Sequence, residues 1–389
     1  METLYQKQQI LLARTDVSFK RYMYGKFPWN SRMAGLTGPR GVGKTTMILQ
    51  YIKEQNVPDL LYVSADDIYF SNHRLADVAD EFYKNGGKQL FIDEIHKYKD
   101  WSRELKNIYD FYPDLKVCFT GSSVLDIRKG MADLSRRAPM FFMQGFSFRE
   151  YLRFKHNIDV PVHSFEDLIS NNITLLNSVE HPLPLFREYL LNGYYPIAKE
   201  DNLEIRLGQI LNLTLEVDIP QFANLSVTTA RKLKKLLLVV AGSVPFKPNF
   251  VSLAAKLEIS RNSLEEYLTL MEDAGLIARL RDQSEGVIGL GKVDKVYIDN
   301  TNLMYYLSAK EPETGNIRET FFLNQTRVNN VVASSTVADF KIGKYTFEVG
   351  GRNKSQEQIK NTPDAFVVKD TIEYGYKNVL PLWAFGLNY

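Results

Sequence analysis

Short apolar segments alternate with amphipathic segments between residues 33 and 143. The apolar segments have the length of strands and lie at 33–37, 60–64, 89–93, 116–120 and 139–143. The segments between them carry apolar residues at helical spacing. Because strands that alternate with helices form a parallel sheet covered on both faces, the pattern predicts an α/β domain here.

The flanking regions have other patterns. Residues 4–24 have helical spacing and predict a leading helix, and Ser147 and Glu150 stand three apart, as in the capping box of a helix over 151–156. Residues 157–225 have helical patterning with proline breaks. From about residue 227 the order is three helices and a β-ribbon, as in a winged helix-turn-helix. Beyond residue 311 the chain becomes α+β, with a hairpin across Gly343.

Composition limits the class of protein. With 389 residues, 44% hydrophobic and 24% charged, the chain has the size of two or three globular domains. A net charge of +2 provides no overall field for nucleic acid or anionic membranes. The single cysteine, Cys118, lies in an apolar run and is predicted to be buried. The histidines lack zinc-ligand spacing, so we expect no structural metal.

Neither a leader-like N-terminus nor an apolar stretch of about 18 residues occurs in the sequence. We therefore expect a cytoplasmic protein without a membrane partner.

Residues 38–45 fit the phosphate-binding pattern G-x-x-x-x-G-K-[ST] and stand between a predicted strand and a predicted helix. In such a loop backbone N–H groups face the phosphates, Lys44 neutralises their oxygens and Thr45 offers a hydroxyl to Mg²⁺. ATP or ADP and Mg²⁺ are therefore the expected ligands. The residues predicted to bind the nucleotide are Gly38, Pro39, Arg40, Gly41, Val42, Gly43, Lys44, Thr45 and Thr46.

The apolar strand 89–93 ends in two acids, as in a Walker B motif. Asp93 is placed to hold Mg²⁺, because open α/β sheets bind ligands at the carboxyl ends of their strands. Glu94 is the candidate for orienting or deprotonating the attacking water. Together with Lys44, these two acids supply most of what phosphoryl transfer requires.

Two further catalytic candidates follow. Ser122, preferred over Ser123, comes after the strand 116–120, whose tip lies beside Asp93 in a parallel sheet. Arg136 and Arg137 precede the strand 139–143, and we take Arg137 as the arginine that neutralises phosphate charge, in its own chain or a neighbour's. A surface arginine remains the alternative.

The chain resembles the AAA-type ATPases of bacteria and archaea in which a C-terminal domain of unknown function follows the P-loop domain. Its marks are Gly38–Thr45, Phe91–His96, Thr120–Ser123, Arg137 leading to Gly145–Glu150, Gly193–Pro196 and Phe347–Val349. The resemblance spans nearly the whole chain. It implies a P-loop ATPase core, a helical lid, a winged helix and a C-terminal domain similar to restriction endonucleases. We expect these regions at 1–150, 151–225, 226–308 and 309–389.

The endonuclease-like domain can be compared with the chemistry of such enzymes. Glu319, Asp339 and Glu348 match the positions of metal-binding acids, but Gly350 stands where a lysine is needed. Arg352 or Lys354 remains as a replacement from the next turn. We expect a degenerate nuclease fold, with residual cleavage as the alternative.

The second helix of the predicted winged helix, 260–274, is rich in acids, which repel DNA phosphates. Basic residues lie instead on the first helix and the ribbon, including Lys232, Lys234 and Lys295. These could contact a DNA backbone, and a protein partner is the other choice.

The first functional hypothesis is an ATP-hydrolysing molecular switch or remodeller, in which Glu94 activates water. The alternative is an ATP-controlled DNA-binding or DNA-processing protein with a nuclease-like C-terminal domain. A third is a chain that holds nucleotide only as a structural cofactor. Oligomerisation stays open in all three.

Overall fold

The computed structural model describes residues 1–121, 134, 136–175, 179–199, 202–223, 225–243, 250–282, 292–308 and 310–389. The chain forms two compact units, Met1–Gln144 and Gly145–Tyr389. Residues 145–150, expected to belong to the ATPase core, lie in the second unit. The helix that begins at Phe148 belongs to that unit as well.

A five-stranded parallel sheet forms the centre of the first unit. Its order is β2-β3-β4-β1-β5. The strands are β1 (Met33–Thr37), β2 (Leu60–Ser64), β3 (Gln89–Asp93), β4 (Lys116–Gly121) and β5 (Met140–Phe142). Strands β1 and β3 are buried along their whole length, as expected for a sheet covered on both faces. The prediction of a parallel α/β sheet is confirmed.

Within the described residues, the first unit also contains four α-helices of ten or more residues. They are α1 (Glu2–Arg14), α2 (Lys44–Gln55), α3 (Leu75–Lys84) and α4 (Trp101–Phe111). Helix α3 shows why such segments pack on the sheet, since Leu75, Val78, Ala79 and Phe82 repeat at helical spacing and are all buried. They join the strand residues in one apolar core. Cys118 is buried in β4, as predicted, and burial raises the pKa of its thiol.

The leading helix is shorter than predicted, because α1 ends at Arg14 rather than near residue 24. Asp16 accepts hydrogen bonds from the backbone N–H and the hydroxyl of Ser18, a local arrangement that competes with helix. The side chain of Gln50 donates to the carbonyls of Asp16 and Phe19 at 2.7 and 2.8 Å. These contacts satisfy the backbone in a non-helical conformation.

The second unit begins with a capped helix and continues with helices of varied length. The capping box predicted from Ser147 and Glu150 is present, with both hydrogen bonds formed. The helices are α5 (Phe148–His156), α6 (Phe165–Ile169), α7 (Pro182–Asn192), α8 (Leu203–Leu213), α9 (Ile219–Ala223), α10 (Val227–Ala241), α11 (Phe250–Leu257), α12 (Arg261–Asp273), α13 (Thr301–Leu307) and α14 (Thr314–Thr326). The two-stranded antiparallel ribbon β6 (Ile277–Arg281) and β7 (Val293–Ile298) follows α12.

A mixed sheet completes the second unit, in the order β12-β11-β10-β9-β8. Its strands are β8 (Val332–Ser334), β9 (Phe340–Ile342), β10 (Tyr345–Gly350), β11 (Ala365–Lys369) and β12 (Val379–Pro381). The hairpin between β9 and β10 turns at Gly343, whose φ of 57° suits a residue without a side chain. In the described parts of both units, no helix is long and apolar enough to cross a membrane.

Candidate active site

The glycine-rich loop connects the carboxyl end of β1 to the first turn of α2. Gly43 precedes α2 with a φ of 95°, a left-handed conformation that favours glycine. At Gly38 a side chain would collide with the backbone carbonyl of Met143, and the φ is again positive. The loop therefore needs glycine at both positions, and it presents the N-terminus of α2 at the carboxyl edge of the sheet.

Lys44 is the first residue of α2, and its side chain folds back over the loop. Its Nζ donates hydrogen bonds to the carbonyls of Gly38 at 2.8 Å and Pro39 at 2.9 Å. The residue is 6% exposed. Burial lowers the pKa of Lys44 to about 8, although the nearby carboxylates of Glu94 and Asp93 oppose the shift. The ammonium thus lies buried beside both acids of the β3 tip.

Asp93 connects the two sequence motifs. Its Oδ2 accepts hydrogen bonds from the hydroxyl of Thr45 at 2.6 Å and from that of Tyr62 at 2.9 Å. Its Oδ1 accepts from the hydroxyl of Thr120. The residue is 2% exposed, so these three hydroxyls, from α2, β2 and β4, fix a buried carboxylate in one orientation.

Glu94 follows Asp93 with an unusual backbone. Its φ of 50° lies in the left-handed region, which is uncommon outside glycine and often marks functional sites. Its N–H donates to the hydroxyl of Thr120 at 3.1 Å, and its Oε2 lies 3.4 Å from Nε2 of the buried His96. Burial raises the pKa of Glu94, and Lys44 opposes this effect. A carboxyl with a raised pKa is better suited to accept a proton near neutral pH.

Arg21 forms hydrogen bonds with the glycine-rich loop. Its guanidinium donates to the carbonyl of Val42, inside the glycine-rich loop, and to the carbonyl of Gln144 at 2.6 Å. The residue is buried. It therefore ties the loop to the segment that follows β5.

The side chains at this edge of the sheet have the chemistry needed to bind a nucleotide with Mg²⁺. The hydroxyl of Thr45 and the carboxylate of Asp93 are hard oxygen ligands of the kind that Mg²⁺ prefers, and they already touch each other. Lys44 and the N-terminus of α2 supply positive charge for phosphates at the same edge. Arg40, from the same loop, also acts electrostatically on Lys44 and Glu94.

Two further catalytic residues are predicted, and the structure describes one of them. Ser122 lies outside the described residues. Arg137 lies three residues before β5, at the amino edge of the sheet, opposite the glycine-rich loop. There its guanidinium pairs with Asp110, with Nε–Oδ1 and Nη2–Oδ2 distances of 3.0 and 3.2 Å.

The strand order, the glycine-rich loop and the acidic tip of β3 define the P-loop NTPase fold. Residues 30–152 match the family model described as "AAA domain", and residues 183–314 match one described as "Domain of unknown function (DUF8612)". The chain is therefore similar to AAA domains over residues 30–152 and to a family without known function over residues 183–314.

Individual relatives are distant. An uncharacterized protein of Methanocaldococcus jannaschii is 28% identical over 303 residues, which are 70% of this chain and 64% of the relative. The chain thus spans about 64% of the length of that relative. Among solved structures, the Walker-type ATPase of Pyrococcus abyssi has a TM-score of 0.46 and 15% identity, covering 74% of this chain and 95% of that one. AMPPCP-bound DnaA from Aquifex aeolicus has a TM-score of 0.25 and 12% identity, covering 64% and 84%.

The acids predicted for a degenerate nuclease site lie close to lysines. Lys295, from β7, has its Nζ 3.2 Å from Glu319 and 3.2 Å from Asp339. Glu348 pairs with Lys354, one of the two residues expected to reach inward from the turn after β10. Among the described residues, no three His, Cys, Asp or Glu side chains are grouped so as to hold a metal ion.

The basic residues of the predicted winged helix also have intramolecular contacts. Lys232 donates to the carbonyl of Glu258 at 2.9 Å, and Lys234 donates to Asn212 at 3.0 Å. The possibility that Lys295 contacts a DNA backbone is not supported, because its ammonium lies between two carboxylates and cannot neutralise a phosphate.

Sequence reasoning missed several residues of the nucleotide site. Thr120 could have been predicted, because it is a polar residue at the end of the apolar run of β4. The prediction instead named Ser122, two positions further on. Tyr62 and Arg21 carried none, since a tyrosine in a buried strand and an arginine before a turn are both common. His96 was noted only as part of the resemblance.

Proposed function

We propose that this chain is a Mg²⁺-dependent ATPase of the AAA type that acts as a molecular switch or remodeller. The observation that carries the proposal is the 2.6 Å hydrogen bond between Thr45 and Asp93. It joins the glycine-rich loop to the acidic strand tip, with Lys44 and Glu94 beside it. A glycine-rich turn without a binding role would not be expected to lie beside Thr45, Asp93, Lys44 and Glu94 in one cluster.

Each residue has a separate task in this proposal. The loop 38–46 binds the phosphates through its N–H groups, and the ammonium of Lys44 moves from the loop carbonyls to the phosphate oxygens. Thr45 and Asp93 would hold Mg²⁺, which supplies charge neutralisation to the transferred phosphoryl group. Glu94 orients water and accepts its proton at a carboxylate oxygen. Thr120 holds both acids in position.

The test is multiple-turnover phosphate release combined with binding of a fluorescent ATP analogue. Glu94→Gln keeps the size of the side chain and removes the base, so it should bind ATP normally and release phosphate at least ~100-fold more slowly. Lys44→Ala should lose binding. Glu81→Gln, which neutralises an exposed acid of α3, is the matched control and should behave as wild type.

Two results would refute the ATPase proposal. One is turnover at the wild-type rate in Glu94→Gln, and the other is equal ATP affinity in Lys44→Ala and wild type. ATP binding without turnover in wild type would instead support nucleotide as a structural cofactor. The readouts therefore separate all the outcomes.

The second unit is proposed to transmit the nucleotide state to a partner. Helices α10, α11 and α12 with the ribbon β6–β7 have the element order of a winged helix, and we interpret them in this way. Glu272 of α12 pairs with Arg279 at 2.5 Å and Arg281 at 2.9 Å, which leaves these guanidinium groups engaged within the unit. Because these guanidinium groups are paired within the unit, the contacts support a protein partner more than DNA. Nuclease activity stays disfavoured.

A further inference from the structure

Lys295, Glu319 and Asp339 form a buried charge cluster in the second unit. They come from the ribbon strand β7, from helix α14 and from the residue that precedes β9. The ammonium of Lys295 lies 3.2 Å from Glu319 Oε2 and 3.2 Å from Asp339 Oδ1, and the side chains are 10%, 14% and 17% exposed. A cationic group therefore sits between two carboxylates that are distant in sequence.

Further hydrogen bonds fix both carboxylates. The hydroxyl of Tyr297 donates to Glu319 Oε2 at 2.7 Å, and the backbone N–H of Val349 donates to Asp339 Oδ2 at 3.0 Å. Burial by itself would lower the pKa of Lys295, yet Glu319 and Asp339 raise it above its ordinary value. The cluster thus holds its lysine in the charged form.

A third acid adjoins the cluster. Glu348 of β10 is 1% exposed, and Lys354 pairs with its Oε1. Its Oε2 is buried and has no hydrogen-bond partner within the described chain. The charges of both Asp339 and Lys295 act on the carboxyl of Glu348, so Glu348 lies near the cluster. A buried carboxylate oxygen without a donor is costly and is better suited to a cation.

We propose that Glu319 and Asp339, with Glu348 beside them, form a site for a hard cation, and that the ammonium of Lys295 is the cation that fills it. Mg²⁺ and Mn²⁺ are commonly held by one or two carboxylates completed by water, so this acid pair has the chemistry of a divalent-cation site. The tethered lysine supplies the charge and excludes the metal ion. The proposal concerns the second unit and is independent of the ATPase proposal.

The test compares Mn²⁺ binding to three proteins of 389 residues without nucleotide, measured from the electron paramagnetic resonance of free Mn²⁺. Lys295→Met keeps the apolar stem and removes the charge, so it should bind a further Mn²⁺ ion per chain relative to wild type. Lys295→Met/Glu319→Gln removes one ligand as well and should lose that ion. The nucleotide site is identical in all three proteins, and its metal binding cancels in the comparison.

Equal Mn²⁺ binding by the single and double variants would overturn the proposal. A second measurement applies if Lys295→Met does not fold. Glu319→Gln alone leaves a buried ammonium with one partner fewer, and the melting temperature should fall. Adding Lys295→Met to Glu319→Gln should recover part of that loss. If the double variant melts no higher than Glu319→Gln, the lysine is not the counter-cation, and the proposal fails.

Discussion

The hydroxyl of Tyr62 donates a 2.9 Å hydrogen bond to Asp93 across the two neighbouring strands β2 and β3. The same carboxylate oxygen accepts from Thr45, a predicted magnesium ligand. Tyr62 therefore helps to orient Asp93, the residue predicted to hold Mg²⁺, while its ring stays buried in the sheet.

We expect Tyr62→Phe to weaken the response to magnesium rather than the affinity for ATP. Loss of one such hydrogen bond, worth about 1 kcal/mol, should lower kcat about fivefold. The Mg²⁺ concentration for half-maximal activity should rise. Steady-state phosphate release over a magnesium titration measures both.

The matched control for this substitution is Tyr83→Phe. It removes the hydroxyl of a tyrosine that faces Asp114 at 3.5 Å, on the exposed surface of the same unit. Its kinetics should equal those of wild type. A Tyr62→Phe protein with an unchanged magnesium profile would show that Tyr62 has no role in orienting Asp93.

The lowered pKa of Lys44 predicts a pH-dependent stability. Between about pH 8 and the ordinary lysine pKa of 10.5, the unfolded chain holds a proton that the folded chain has released. The free energy of unfolding should therefore rise with pH across this window. From pH 7 to 9.5 the gain is about 2 kcal/mol, at about 1.4 kcal/mol per pH unit above 8.

Urea denaturation of nucleotide-free wild type and Lys44→Met at both pH values isolates this effect, because other titrating groups are common to the two proteins. The difference in unfolding free energy should shift by about 2 kcal/mol in favour of wild type at the higher pH. A difference that does not vary with pH would mean that Lys44 is not buried as a charged group.

The position of Arg137 predicts complementation between inactive variants. Because Arg137 lies at the edge of the sheet opposite the glycine-rich loop, we expect it to serve a neighbouring chain's nucleotide. Arg137→Ala should lower kcat by roughly 10³-fold, as for other arginines that neutralise phosphoryl transfer. Mixing Arg137→Ala with Glu94→Gln should restore phosphate release.

Arg136→Ala is the control for the complementation experiment and should remain active, since Arg136 is exposed. Recovery should depend on protein concentration, because it requires assembly. If the mixture is no more active than its components, the arginine does not act between chains.

The sequence was most informative where one local feature sufficed. Continuous apolar runs predicted all five strands of the first sheet. In β1 to β4 almost every residue is buried, and strands buried on both faces carry no polar alternation. Residues 38–45 and the acids at 93 and 94 were found because loop and strand tip have fixed places in such a sheet.

Contacts between side chains that are distant in sequence could not be predicted from the sequence. Lys295 meets Asp339 across 44 residues, and neither residue type at its position indicates the other. The leading helix ended early because Gln50, from another element, binds the backbone that follows it. Contacts of this kind depend on the tertiary fold, which cannot be read from the local pattern of apolar and polar residues.

The burial of Cys118 has a practical consequence. Since the sequence contains no other cysteine and this thiol is enclosed within β4, maleimide dyes should leave the native protein unlabelled. A cysteine introduced at the surface of each unit would then accept fluorophores selectively. Energy transfer between such dyes would follow the spacing of the two units during turnover, with no background thiol to remove.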